Sequence, residues 1–294
     1  MDKRHLDDLN QAQRERLAFI EFRLWFLGDV RRPDLIDRFG IAPAVATRDL
    51  GAYRDIAPEN MDFDGRRKVY VPTEHFSPVF EHRPERVLSA LSRGFGEGIG
   101  AASRGFLPCE FPMHLNQPPL PVLAVITRAI HQKRPVRLTY HSLNSGASER
   151  EIVPLALVDS GLRWHARVYD RTSAEFRDLV ITRMENPVLG ARDRIEPQEE
   201  LARDIQWTRI VSLGLVPHPN QHRPEIVARD FGMANGELLL QVRAAIAGYV
   251  LQQWNVDCSP DHHLDPTRYR LWLKDPLVLY GVENAVLAPG YHAP

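Results

Sequence analysis

Cysteine is nearly absent: Cys109 and Cys258 are the only two among 294 residues. Two thiols cannot make a disulfide framework, which excludes a small stapled domain and fits a reducing cytoplasm. Both read as inert packing residues rather than nucleophiles. Net charge is missing too, with 37 Lys+Arg against 38 Asp+Glu. A globally basic nucleic-acid coat is therefore excluded, although a local basic patch is not. No run approaches the 18 consecutive apolar residues of a membrane span. The first ten residues, MDKRHLDDLN, are too polar for a signal peptide. No internal repeat and no low-complexity tract interrupts the chain. Apolar residues at 44% and charged residues at 26% are ordinary globular usage. Disorder and collagen are excluded, and the length suggests roughly two or three domains. Proline, at 23 residues, exceeds the usual ~5%, which implies many short segments.

Motifs of catalysis are also lacking. There is no Gly-x-Ser-x-Gly elbow and no phosphate-cradling glycine loop with Lys-Ser/Thr. The run Gly94-Phe95-Gly96-Glu97-Gly98-Ile99-Gly100 lacks that lysine and reads as a flexible joint. His218 and His222 stand four apart with Pro219 between them, and His262-His263 sits in a loop rich in Pro and Asp. Neither has a cysteine or a second acidic pair at zinc spacing. We expect no enzyme, no metal and no cofactor.

What is present begins with helices. Over 13–27, Leu17, Ile20, Leu24 and Leu27 fall on one face, widened by Phe19, Phe22 and Phe26. A second helix starts at Pro33, a good first-turn residue, buries Leu35, Ile36 and Phe39, and stops at Gly40. A third runs from Pro43 to Ile56. Ala46, Leu50 and Tyr53 face inward, which leaves Pro43, Ala44, Thr47, Arg48 and Gly51 outward. Such a short-chained face is flat enough for a major groove about 12 Å wide. Asp64-Gly65 between two extended runs then marks a hairpin. Its basic tip, Arg66, Arg67 and Lys68, suits the wing of a winged helix-turn-helix laid along phosphates. The same helix-turn-helix pattern occurs in folds that never touch DNA, and residues 1–75 carry 13 Lys+Arg against 14 Asp+Glu.

From about 135 the pattern changes to alternation. Val136, Leu138 and Tyr140 alternate with Arg137 and Thr139, a strand signal. Further strands are expected at 150–158, 163–170 and 176–184, a spacing that suits a small barrel or sandwich. Along 163–169, Trp164, Ala166 and Val168 form an apolar face, with Trp164 read as core. Arg163, His165, Arg167 and Tyr169 form the other. Arg177 and Arg183 are evenly spaced on a last strand and so share a face. Guanidinium forks suit phosphate, and Tyr140 and Tyr169 suit base stacking. Equally, these arginines have Glu149, Asp159, Asp170, Glu175 and Asp178 available as partners. Residues 236–242 read as extended and 243–254 as helical.

The order of segments resembles the WYL-domain transcription regulators. The marks are Arg38-Phe39-Gly40-Ile41, Ala46-Thr47-Arg48-Asp49-Leu50, Ala57-Pro58-Glu59-Asn60-Met61 and Phe76-Ser77-Pro78. They resemble the small regulators found beside phage-defence systems of the BREX and CBASS types. More weakly, the third helix resembles the Arg-Asp-Leu recognition helix of the deoxyribose-operon repressor class. In the middle block, Arg150-Glu151-Ile152-Val153-Pro154-Leu155 and Ile181-Thr182-Arg183-Met184 match. Trp164-His165-Ala166 stands in the place of Trp-Tyr-Leu. His165 thus replaces the tyrosine with a ring whose charge switches near pH 6–7. Asp230-Phe231-Gly232-Met233, Trp254-Asn255-Val256-Asp257 and Leu287-Ala288-Pro289-Gly290 carry the likeness to the end of the chain.

The resemblance implies an α+β, multidomain, cytoplasmic repressor of a defence operon. A winged helix-turn-helix domain (1–95) and a helical linker (96–134) would precede a ligand-sensing Sm-like or SH3-type β-barrel (135–200). A WCX-like α/β dimerisation domain (201–294) would follow. The implied partners are a second copy, a palindromic duplex operator and an anionic ligand, either a nucleotide or single-stranded nucleic acid. No membrane is implied. Pro43, Ala44, Thr47, Arg48, Arg66, Arg67 and Lys68 would contact DNA. Tyr140, Ser142, Arg150, His165, Arg167, Arg177 and Arg183 would contact the ligand. Two rivals stand beside this reading: a single-strand-binding accessory protein with no promoter role, and a nucleotide hydrolase.

Overall fold

Helix α1 (Gln11–Leu27) starts where the Asn10 side chain accepts the Gln13 N–H at 2.9 Å, and it ends at Gly28. The computed structural model describes residues 9–95, 105–112, 115–190 and 195–292. The chain divides into two compact units, Met1–Phe111 and Pro112–Pro294. In the first, α2 (Arg32–Phe39) follows α1, and a turn at Gly40 leads from it into α3 (Pro43–Ile56). Gly40 has φ 61°, left-handed backbone that a side chain would strain. Leu17, Ile20 and Leu24 of α1 are fully buried against Leu35 of α2 and against Ala46, Leu50 and Tyr53 of α3. The expected apolar stripe is thus the core, with α1 starting two residues earlier than its pattern suggested.

Strands β1 (Met61–Asp64) and β2 (Val69–Pro72) pair antiparallel with Asp64 opposite Val69. The Asp64 carboxylate accepts the N–H groups of Arg66 and Arg67 at 2.9 and 3.0 Å. Lys68, with φ 55°, belongs to the turn rather than to the strand. A bridge between Val30 and Tyr70 ties the hairpin to the α1–α2 connection. Helix α4 (Pro84–Arg93) follows. Most of the glycine run, and so the joint expected there, lies outside the described residues.

The second unit opens with α5 (Leu120–Gln132). It lies in the stretch read as a linker, yet its Ile126 and Ala129 are fully buried in the core of the sheet that follows. That sheet has the order β6-β5-β4-β3-β7, built from β3 (Val136–Ser142), β4 (Gly146–Asp159), β5 (Trp164–Asp170), β6 (Glu175–Val180) and β7 (Met184–Leu189). The long β4 pairs its first half with β3 and its second half with β5, with a register shift between Pro154 and Ala156. The expected last strand, 176–184, is interrupted by a 3-10 turn at Ile181–Arg183. Three such residues span about 6 Å, and they carry the chain from one edge strand to the other. The sheet therefore curls on itself. Among the described residues no ladder joins β6 to β7, so the closed barrel implied by the resemblance is not what is seen.

After α6 (Ile205–Thr208) comes a second sheet, of order β10-β11-β8-β9. It comprises β8 (Ile210–Pro217), β9 (Leu238–Arg243), β10 (Val256–Asp257) and β11 (Leu271–Leu273), with α7 (Pro224–Asp230) between β8 and β9. Helix α8 (Ala244–Gln253) packs Ala244, Ala247 and Leu251 onto Val211, Leu213 and Leu215. A 3-10 turn at Glu283–Leu287 closes over α8. Gly248 makes that closure possible: a Cβ there would stand 1.9 Å from the Asn284 carbonyl oxygen. The Asn284 side chain accepts the Gly248 N–H at 3.0 Å and donates to the Ala245 carbonyl at 2.6 Å.

Candidate nucleic-acid interface and ligand cavity

Helix α3 is held from behind. Its buried Asp49 receives Arg16 of α1 at 2.6 Å. Its buried Tyr53 hydroxyl donates to Glu21 at 2.9 Å and accepts from Asn60 at 3.0 Å. Glu21 is fully buried on the apolar face of α1. It also accepts the N–H groups of Val79 and Phe80, and it meets His82 Nε2 at 2.9 Å. A buried carboxylate is tolerated only with partners of this kind. The network thereby fastens the helix to α1 and to the strap at 77–82. Sequence reasoning missed Glu21, although an acid inside an apolar stripe was the available signal.

The front of α3 is open. Pro43, Ala44, Thr47 and Arg48 are all exposed. The Thr47 hydroxyl donates back to the Pro43 carbonyl at 3.0 Å. No side chain caps the start of the helix. Beside it lies a groove of about 590 Å³ between α3, the start of α2 and the hairpin. Thr47, Arg67 and Lys68 line it together with Arg31 and Arg32. The last two were not anticipated, although a basic pair ahead of Pro33 was legible. Arg67 reaches back to Asp29 at 3.1 Å. Arg48, Arg66 and Lys68 have no ion pair among the described residues. The geometry is a short-chained helix face flanked by solvent-facing cations.

In the second unit, five of the seven expected ligand residues line one cavity of about 380 Å³. Tyr140 and Ser142 come from β3, Arg150 from β4, Arg167 from β5 and Arg177 from β6. Its far wall is Ala245 with the turn carrying Glu283, Asn284, Val286 and Leu287. No periodic pattern marked that turn, which is why the sequence did not reveal it. The Arg150 guanidinium lies over the Tyr140 ring at 5.2 Å and reaches the fully buried Asp170 at 2.6 Å. Arg177 is bound by the neighbouring Glu175. Arg167 is buried and doubly bonded to Asp204, at 2.6 and 3.0 Å. It also meets Asp178 at 3.3 Å and Glu283 at 3.7 Å. The alternative in which these arginines pair within the protein thus describes all three. Burial raises the pKa of both Asp178 and Glu283 despite the Arg167 charge.

His165 and Arg183 do not join the cavity lining. His165 is buried and stacked on Tyr249, with ring centroids 5.1 Å apart. Burial, reinforced by the charges of Arg163 and Arg183, pushes it down to about 4. It is neutral at physiological pH, which corrects the expectation of a switch near pH 6–7. Arg183 sits in the 3-10 turn and not on β6, so its spacing from Arg177 carries no common face. Trp164 is 40% exposed and not core. Tyr169 packs edge-on against Phe176 instead of standing ready for a base. Cys258 is buried as expected, whereas Cys109 is exposed and is no packing residue. His218 is a buried partner of Asp257, at 3.1 Å.

Comparison with known proteins gives three family profiles in chain order. The BrxR transcriptional regulator winged helix-turn-helix domain matches residues 12–93. The WYL domain matches 121–189, and the BrxR transcriptional regulator C-terminal dimerization domain matches 210–279. The DNA-binding transcriptional repressor CapW of Escherichia coli (strain KTE188) is 30% identical over 282 residues, 92% of each chain. Its namesake in Pseudomonas aeruginosa is 33% identical over 257 residues, and that in Stenotrophomonas maltophilia 32% over 255, each covering 84% of both chains. Among solved structures, the proteasome accessory factor PafBC of Arthrobacter aurescens aligns at 19% identity with a TM-score of 0.25. That alignment covers 80% of this chain and 44% of PafBC, a likeness too slight to carry an argument. With three profiles in order and CapW relatives matched over nearly their whole length, this chain belongs to the family of transcriptional regulators that includes CapW.

Proposed function

We propose that this protein is a DNA-binding transcriptional repressor that reads a palindromic duplex operator as a homodimer. The observation that carries the reading is the open face of α3 beside a groove lined by basic side chains, within the residues matched by the winged helix profile. Pro43, Ala44, Thr47 and Arg48 face the major groove, while Arg66, Arg67 and Lys68 meet phosphates. Two copies related by a two-fold axis place two α3 helices on half-sites one or more helical turns apart. Relatives named as repressors support a non-enzymatic role. A defence operon is the target that the resemblance implies, and the cytoplasm is the compartment.

The curled sheet, read as an Sm-like barrel, senses an anionic ligand such as a nucleotide or single-stranded nucleic acid. The meeting of Tyr140, Ser142, Arg150, Arg167 and Arg177 around one cavity supports this. Because each arginine already holds a carboxylate, an entering anion competes with those acids instead of filling a vacant charge. The proposed boundaries are 1–95 for reading DNA, 135–200 for sensing and 201–294 for dimerisation.

Titration of the full chain into labelled duplex from its own upstream region, at several salt concentrations beside scrambled duplex, tests the reading. Specific binding that weakens steeply with salt is expected. No preference over scrambled duplex at low salt would overturn operator recognition.

A further inference from the structure

The second sheet has two edges of unequal character. At one, β10 is two residues long and fully buried. At the other, β9 (Leu238–Arg243) is six residues long, without proline or lysine, and none of it is buried. Its inward side chains, Leu238, Leu240 and Val242, pack against the core opposite Leu215, Leu213 and Val211. All three remain partly exposed, so the core is left open along this edge. On the other face Leu239 is 61% exposed. An unguarded apolar edge strand is a template for pairing with another chain, and proteins seldom leave one bare.

We propose that β9 pairs antiparallel with β9 of a second copy across a two-fold axis at Leu240, joining the two four-stranded sheets into one. This deepens the homodimer of the proposed function and rests on it. Three observations select a second copy as the occupant. The strand falls within the residues matched by the dimerization-domain profile. Pairing centred on Leu240 keeps inward residues opposite inward residues, so the open core continues across the junction instead of flipping to solvent. It also sets Glu237 of one copy, bridged within its own chain to Lys274 at 3.2 Å, opposite Arg243 of the other, bonded within its own chain to the Trp207 carbonyl, whereas parallel pairing would oppose like charges. The interface is isologous and closes on itself, leaving no free β9 edge to propagate.

Disulfide trapping tests the axis. Single cysteines are placed at 238, 239, 240, 241 and 242 of the full chain in a Cys109→Ser background. Directly opposed antiparallel residues lie about 4.5–5.5 Å apart between Cα atoms, within disulfide reach. A residue one place off the axis faces its copy about 7 Å further along the strand, out of reach. Leu240→Cys is expected to give a cross-linked dimer on mild oxidation, and its neighbours little or none. Leu240→Lys, an inward charge at the edge, is expected to halve the mass measured in solution. A protein of dimer mass with no cross-link at any of the five positions would overturn the β9 pairing alone. A wild type of monomer mass would overturn the homodimer as well.

Discussion

Residue by residue, Arg48 differs from Arg150 and Arg167, which are largely buried and paired with Asp170 and Asp204. Arg48 is exposed and has no ion pair among the described residues, so its charge is available outward. Arg48→Ala is expected to weaken specific duplex binding by about 1–3 kcal/mol and to leave the melting temperature unchanged. Parallel titration and thermal melts check this. His165 makes a different prediction, because its pKa is pushed down to about 4 in the fold against an ordinary value of about 6.5. Between those pH values the unfolded chain binds a proton that the folded chain does not, so stability is lost as pH falls through this window. The loss amounts to about 3 kcal/mol. His165→Phe keeps a ring to stack on Tyr249 and removes the titration. Denaturant unfolding at pH 7 and pH 4.5 is therefore expected to show a smaller acid loss in the variant than in wild type.

Elements are placed by a few buried contacts rather than by their exposed faces. Helix α3 owes its orientation to Tyr53, whose hydroxyl links Glu21 and Asn60. Tyr53→Phe leaves both partners short of a bond while preserving the ring. A loss of about 1–3 kcal/mol follows, confined to the first unit and readable as faster amide exchange in α3 and in 77–82. The wall of the cavity depends likewise on Gly248. Gly248→Ala drives a methyl into the Asn284 carbonyl, and overpacking of this kind costs about 1–3 kcal/mol. Proteolysis is expected to cut the variant faster within 276–292 than wild type. Unchanged cleavage would mean that the turn does not rest on α8. The periodicity of α1 to α3 was legible because a buried stripe repeats along each helix. The Glu283–Leu287 turn was not, because its position comes from one glycine and one asparagine far apart in sequence.

At the scale of the molecule, Arg167 ties the first sheet of the second unit to the helix cap and the 3-10 turn that flank the second sheet. From β5 it binds Asp204, which caps α6, and it meets Asp178 and Glu283. Arg167→Ala strands these carboxylates, and breaking a buried pair costs about 3–5 kcal/mol. Hydrogen exchange is expected to rise across 112–294 and to stay at the wild-type level across 1–111. A rise in both units would refute a role confined to the second. Arg167 thus illustrates how a residue expected to hold a ligand can be a structural joint that also forms part of the cavity wall.

The sequence by itself determined the local structure and its order: three helices, a hairpin, a run of strands, then a mixed block. Each is written in a short-range pattern of apolar and polar residues, punctuated by glycine and proline. It also determined which face of α3 is exposed, since that face is whatever the core leaves over. Only the tertiary structure decided that α5 belongs to the first sheet's core, that Arg183 and His165 leave the cavity lining, and that Arg150, Arg167 and Arg177 are already neutralised. For Arg150 and Arg167 the partners Asp170 and Asp204 stand 20 and 37 residues away, and no local period records their approach, whereas Glu175 is only two residues from Arg177. Burial, the largest cause of the low pKa of His165, exists only once the fold has closed around it.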